Sequence, residues 1–263
     1  ILVVGTKIYI VVHDFHNTGA TFDNISYVIQ YDMETNAQTQ IGEAASGYIT
    51  SDIGDGGIGF TCIGFHQGYL YAGICSIDGN NSTVAGIYRI LPGVETSWTL
   101  DLDQSGGANG EVTLCLQSYK GLLYAGCTDY DAVAARMLVR SSAGVWSSST
   151  TIGTGTAHNM WPTLTVFGDN LYATSLEVTA GSDVSRIHKF DGTTWSIVKT
   201  IETAADPKVG VATVVHNGVL YVLCKNFAKS GQVSYSANGT SWTDQTSGLT
   251  NLNVACAFGV LAT

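Results

Sequence analysis

TLCLQSYKGLLYAGC, Thr113 to Cys127, reads as one β-hairpin. Glu111 to Gln117 alternates as a first strand, Lys120-Gly121 makes a tight turn, and Leu122 to Cys127 returns as a second strand opened by apolar-Tyr. The plan recurs in ILVVGTKIYIVV (Ile1 to Val12), TCIGFHQGYLYAGIC (Thr61 to Cys75), LTVFGDNLYATSL (Leu164 to Leu176) and ATVVHNGVLYVLC (Ala212 to Cys224). The tyrosines Tyr9, Tyr71, Tyr124, Tyr172 and Tyr221 are 62, 53, 48 and 49 residues apart, and Trp98, Trp146, Trp195 and Trp242 are 48, 49 and 47 apart. Two markers in step at roughly 40–50 residues predict an all-β chain folded as a β-propeller, one four-stranded blade per repeat.

Third strands follow at SYVIQY (Ser26 to Tyr31), GIYRIL (Gly86 to Leu91), Arg136 to Arg140, RIHKF (Arg186 to Phe190) and QVSYS (Gln232 to Ser236). Each leads into a turn and, in four of the five repeats, a Trp. Blades splay apart with radius, so a large flat side chain at one fixed point of each outer hairpin has a packing explanation. The first repeat, with DMETNAQTQI (Asp32 to Ile41), lacks the Trp. The expected blades are 1–50, 51–106, 107–155, 156–204 and 205–250 in a single domain, with a surplus strand in 251–263 to complete the first blade's edge. A six-bladed or larger ring is the alternative.

YSANGTSWTD (Tyr235 to Asp244) and KFDGTTWSI (Lys189 to Ile197) carry a further signal. They resemble the Asp-box, or BNR-type, hairpin of sialidase-like and related extracellular propellers, at Ser236, Asn238, Gly239 and Trp242 in one copy and Asp191, Gly192 and Trp195 in the other. The resemblance implies a propeller, with a hairpin that is structural and lies away from any active site.

Composition narrows the function. A net charge of −10 with eleven scattered Lys and Arg argues against a nucleic-acid partner, which needs clustered cations. No apolar run reaches the roughly 18 residues of a membrane span. The chain begins at Ile1 rather than Met, which predicts a processed or trimmed product. Six cysteines lie in expected strands without metal-ligand spacing, and most are expected to be small core residues. If any pair were bridged it would be Cys115 and Cys127; a one-residue shift of register would forbid the bond.

Strand alternation assigns every connection to one of two ends. First-to-second and third-to-fourth turns share one end. Second-to-third and blade-to-blade connections share the other, which carries the longer segments and most of the 21 acidic residues. Cations or a basic partner are favoured there, and Ca2+ would suit the acidic loops. Asp55, Glu111, His158 and Asp206 are each placed just before an inner strand, where they could ring the channel mouth. Trp161, beside His158 and Asn159, is the one Trp outside the outer-hairpin series, and either stacks on a ligand or wedges the channel top. His13, Asp14 and His16 could share a metal only if the chain turned there, so no metal site is expected.

No nucleophile elbow, phosphate loop or Ser/His/Asp signature is present. The leading expectation is therefore a non-enzymatic extracellular, secreted or virion-surface propeller. It would serve as a structural, decorating or receptor-binding module for other surface proteins or glycans, displayed as a homo-multimer. The alternative is a glycoside hydrolase with carboxylates at the channel mouth. A lectin with one sugar site per blade would need equivalent pockets lined by the outer Trp residues.

Overall fold

A computed structural model describes residues 1–17, 22–42, 58–77, 83–104, 111–129, 136–149, 158–177, 183–204, 208–225 and 231–246. Every element among them is a β-strand. The first meander runs β1 (Leu2–Val4), β2 (Lys7–Asn17), β3 (Phe22–Asp32), β4 (Gln38–Ile41) and the second β5 (Ile58–His66), β6 (Tyr69–Ile77), β7 (Thr83–Ile90), β8 (Thr99–Asp103). The third is β9 (Glu111–Tyr119), β10 (Leu122–Asp129), β11 (Met137–Arg140), β12 (Trp146–Ser148) and the fourth β13 (His158–Phe167), β14 (Asn170–Glu177), β15 (Asp183–Phe190), β16 (Trp195–Ala204). The fifth is β17 (Val209–His216), β18 (Val219–Lys225), β19 (Gly231–Ser236), β20 (Thr243–Gln245). All pairings inside a meander are antiparallel, and a single bridge, Thr128 to Met160, links the third to the fourth. The expected surplus strand in 251–263 lies outside the described residues.

The inner hairpins form where the sequence puts turn residues. Gln67-Gly68, Lys120-Gly121 and Asn217-Gly218 all have both residues at positive φ, the geometry that two-residue hairpins require. Consecutive meanders pack through their inner strands, β5 on β9, β9 on β13 and β13 on β17, with four apolar cores between them. The Gly of the recurring YAG marks where the next meander comes close: a Cβ on Gly126 would lie 2.6 Å from the Trp161 carbonyl oxygen. In the fourth meander Thr174 stands at that point and donates 2.7 Å to the Gly210 carbonyl, and the glycine has moved to the facing strand.

The outer Trp residues are half-buried and bridge adjacent meanders. Trp98 tilts over Phe60 and shares a core with Tyr9; Trp146 donates 2.6 Å to Asp101; Trp195 stacks on Phe190 at 4.8 Å. Trp242 joins the core of Tyr172. They fill wedges between sheets rather than lining equivalent pockets.

The turns that resemble Asp-boxes share one device, an Asx side chain accepting from the turn's own N–H groups. Asn238 Oδ1 accepts from Thr240 and Ser241 N–H at 3.0 and 2.8 Å, and Asp191 Oδ1 from Thr193 and Thr194 N–H at 2.7 and 2.8 Å. Asp32 Oδ1 accepts from Glu34 N–H at 2.9 Å, while its other oxygen pairs with Lys7. These bonds, Thr194 first, hold the Asp191 carboxyl at about 2, and for Asp32 the Lys7 bond leads to the same value. A depressed folded pKa adds stability above the unfolded value, lost as pH falls through the folded one. The urea midpoint is therefore expected to drop between about pH 4 and pH 2. Asp191→Asn, which keeps the acceptor but not the charge, should make that drop shallower, and an unchanged slope would refute the assignment.

Four inner strands carry a bulge that sequence alternation does not reveal. The ladder skips Thr61 in β5, Leu114 in β9 and Val211 in β17. In β13 it shifts between His158 and Met160 and again between Met160 and Thr163, where Pro162 has no N–H to give. The register of β9 against β10 also answers the cysteine question. Cys115 lies opposite Gly126 and Cys127 opposite Thr113, so their side chains leave opposite faces. Cys115 donates to the Trp161 carbonyl at 3.2 Å, Cys127 contacts Gln104 at 3.5 Å, and both are free thiols.

Candidate functional site

Inner strands begin, and second strands end, at one end of the meanders. Two of the expected residues, Asp55 and Asp206, lie outside the described residues. Glu111 is the first residue of β9, as the alternation from Glu111 to Gln117 predicts, and His158, expected just before an inner strand, is instead the first residue of β13, which extends that far. Each faces a carboxylate residue across the ladder: Glu111 is paired with Asp129, and His158 with Glu177. Asn159 sits at the first register shift of β13.

The Thr128 to Met160 bridge draws these two pairs together. β11 is short and its ladder with β10 ends at Gly126 and Met137, so the edge of β10 beyond it is open to β13. Asp129 follows Thr128 directly, and His158 precedes Met160 by two residues. Glu111, Asp129, His158 and Glu177 thus share one corner of this end.

Glu177 is 4% exposed and pairs with Arg186 Nε at 3.3 Å. The two are diagonal neighbours, Glu177 opposite Val184 and Ser175 opposite Arg186, which places them on one face of the ladder. Beneath them, Ser175 Oγ and His188 Nε2 are 2.8 Å apart, and Trp161 meets His188 edge-on at 5.1 Å. At the next junction Lys208 donates through its backbone N–H and its ammonium to Glu202, at 2.7 and 3.0 Å. Burial raises the Glu202 carboxyl, but the bonds from Lys208 outweigh it and hold the group below its ordinary value.

Trp161, one of the six expected site residues, lies within β13 rather than before it, because the strand continues through the bulge at Pro162. It is 1% exposed, in a core with Tyr124, Met137 and Leu164. No ring face is left for a ligand, and the wedge is the role its burial fits. Asp129, Glu177 and Arg186 were not singled out as site residues from the sequence. The signal for them was cross-strand register, which the bulges obscure. The acidic loops expected to suit Ca2+ lie mostly outside the described residues; among the described residues, no three His, Cys, Asp or Glu side chains gather as metal ligands. No helix among them is long and apolar enough to cross a membrane.

No protein-family model matches the sequence, and no curated protein does. Solved structures do resemble the fold. The sialidase of Trypanosoma rangeli, solved with sialic acid, is 11% identical and superposes with a TM-score of 0.52 over 95% of this chain and 44% of its own. A thermostable family-43 glycoside hydrolase is 14% identical over 76% of this chain and 75% of its own, with a TM-score of 0.49. The α-L-arabinofuranosidase of Lactobacillus brevis is 15% identical over the same shares, with a TM-score of 0.44. The chain therefore spans less than half of the sialidase, and the likeness is one of fold: an all-β chain of four-stranded meanders. This corrects the leading expectation of a non-enzymatic surface module: the architecture found is one that carbohydrate-active enzymes use. The absence of a catalytic motif does not decide against an enzyme, because catalytic carboxylates contributed by separate strands leave no local signature.

Proposed function

We propose that this chain is the propeller of a carbohydrate-active enzyme that hydrolyses a glycosidic bond at the end where its inner strands begin. The observation that carries the reading is the placement of Glu111 directly opposite Asp129, tied by the Thr128 to Met160 bridge to His158 and Glu177. Likeness of fold to a sialidase over nearly the whole chain supports it. Directly opposed residues have Cα atoms about 4.5–5.5 Å apart. A scissile glycosidic bond is flanked by two carboxyl groups roughly 5–9.5 Å apart, one as acid and one as base or nucleophile, and this register position holds two residues of that type. Arg186, paired with Glu177, supplies a cation in the fourth meander. Asp55 and Asp206 are assigned to the same mouth, and the five meanders to five blades of a closed ring.

The test is hydrolysis of aryl β-galactosides, aryl α-L-arabinofuranosides and sialosides by the purified chain. Turnover of one class supports the reading, and inertness toward all three sinks it.

A further inference from the structure

Four of the five second-strand tyrosines are covered by the indole of the following meander. Tyr9 shares a core with Trp98, Tyr71 with Trp146, Tyr124 with Trp195 and Tyr172 with Trp242. Those tyrosines are 4%, 1%, 4% and 2% exposed. Tyr221 belongs to no such core among the described residues and is only half-buried. The meander that would cover it in a closed ring is the first, the one that lacks a Trp.

On the face of the fifth meander that carries Tyr221 is an open depression of about 300 Å³, lined by residues of that meander. Tyr221 and Tyr235, cross-strand partners with ring centroids 5.9 Å apart and planes inclined by 30°, form its floor. Ser236, Asn238, Ser241 and Thr243 form its wall. Asn238 spends its Oδ1 on the turn, and its Nδ2 makes no hydrogen bond among the described residues. No charged side chain lines the cavity. Its volume is at the small end of ligand sites, roughly 300–1,000 Å³.

We propose that this cavity is a sugar subsite that takes one neutral pyranose ring in the place an indole fills between the other meanders. The C–H face of the sugar lies on the paired tyrosines, and its hydroxyls meet Asn238 Nδ2 and the hydroxyl of Thr243. An uncharged wall selects neutral sugars over sialic or uronic acids. The hairpin that forms it is a third-to-fourth-strand turn, so the subsite lies at the opposite end from Glu111 and anchors glycan rather than cleaving it. It does not depend on the hydrolase reading.

The experiment is saturation-transfer NMR on the full chain with methyl β-D-galactopyranoside, methyl β-D-glucopyranoside and N-acetylneuraminic acid. One neutral glycoside is expected to bind with a Kd on the order of millimolar, the range for so small a ligand. Tyr221→Ala should weaken it roughly tenfold through lost stacking. Asn238→Asp keeps the acceptor that Asp191 provides in the fourth meander while removing the donor, and should weaken binding with the fold intact. No binding of either neutral glycoside overturns the proposal, as does preferred binding of N-acetylneuraminic acid. Binding that survives both variants but is lost in Glu111→Gln belongs to the other end and overturns it too.

Discussion

Asp101→Ala is expected to cost about 3–5 kcal/mol of folding stability, read as a fall in the urea midpoint without a change of slope. Asp101 is 7% exposed and lies on the outer strand of the second meander. It accepts two bonds from Arg140 of the third, Nε at 2.7 Å and Nη2 at 3.0 Å, and one from Trp146 Nε1 at 2.6 Å. Arg89 of its own meander adds an ion pair at 3.1 Å. Arg140, 8% exposed and 5.3 Å from the Tyr71 ring, would be left without its counter-charge. Breaking such a pair costs far more than the pair contributes over an apolar replacement, because the remaining charge stays desolvated. The deep penalty thus arises from the orphaned guanidinium. Arg140→Met in the same background should recover part of the loss; no recovery would show that the penalty lies elsewhere. Burial, with Arg140 adding to it, also pushes the neighbouring His66 below its ordinary pKa, so His66 meets the cluster as a neutral ring bonded to Ser118 at 2.9 Å.

Glu111→Gln is expected to lower kcat by about 10²- to 10⁴-fold on whichever glycoside the chain turns over, the usual contribution of a positioned acid or base. Asp129→Asn should act comparably, and the double variant should lose little more than the worse single, since groups acting on one bond are not additive. The amide replacements keep size and hydrogen bonding, so the urea midpoint should move little. A variant that hydrolyses as fast as the parent would remove Glu111 from the mechanism. An equal fall in stability and activity would reduce it to a structural role. Turnover by either enzyme form should have a bell-shaped pH profile, whose acid limb the Asp129→Asn or Glu111→Gln change moves.

The repeat, the tight turns and the wedge Trp residues were legible in the chain because each rests on local chemistry. Lys120-Gly121 makes its turn because a two-residue hairpin demands positive φ at both positions. Trp195 and Trp242 recur because each packs into the core of the preceding meander's tyrosine, Tyr124 and Tyr172. The candidate site was legible only in part. Glu111 and His158 are the first residues of β9 and β13. Trp161 was expected at the channel mouth, as a ligand platform or a wedge, because the strand was expected to begin at Leu164, whereas the bulge carries it through.

The sequence by itself determined the strand order, the repeat length and the turn types, since period-2 alternation and turn chemistry act within a few residues. Only the tertiary structure decided which side chains meet. A register shift in an inner strand reverses the facing of every residue beyond it: in β9 it sets Glu111 against Asp129, and in β13 it carries the strand through the buried Trp161. The missing indole of the first meander was visible as a letter, but its consequence, an open aromatic floor at Tyr221 and Tyr235, depends on how neighbouring sheets pack.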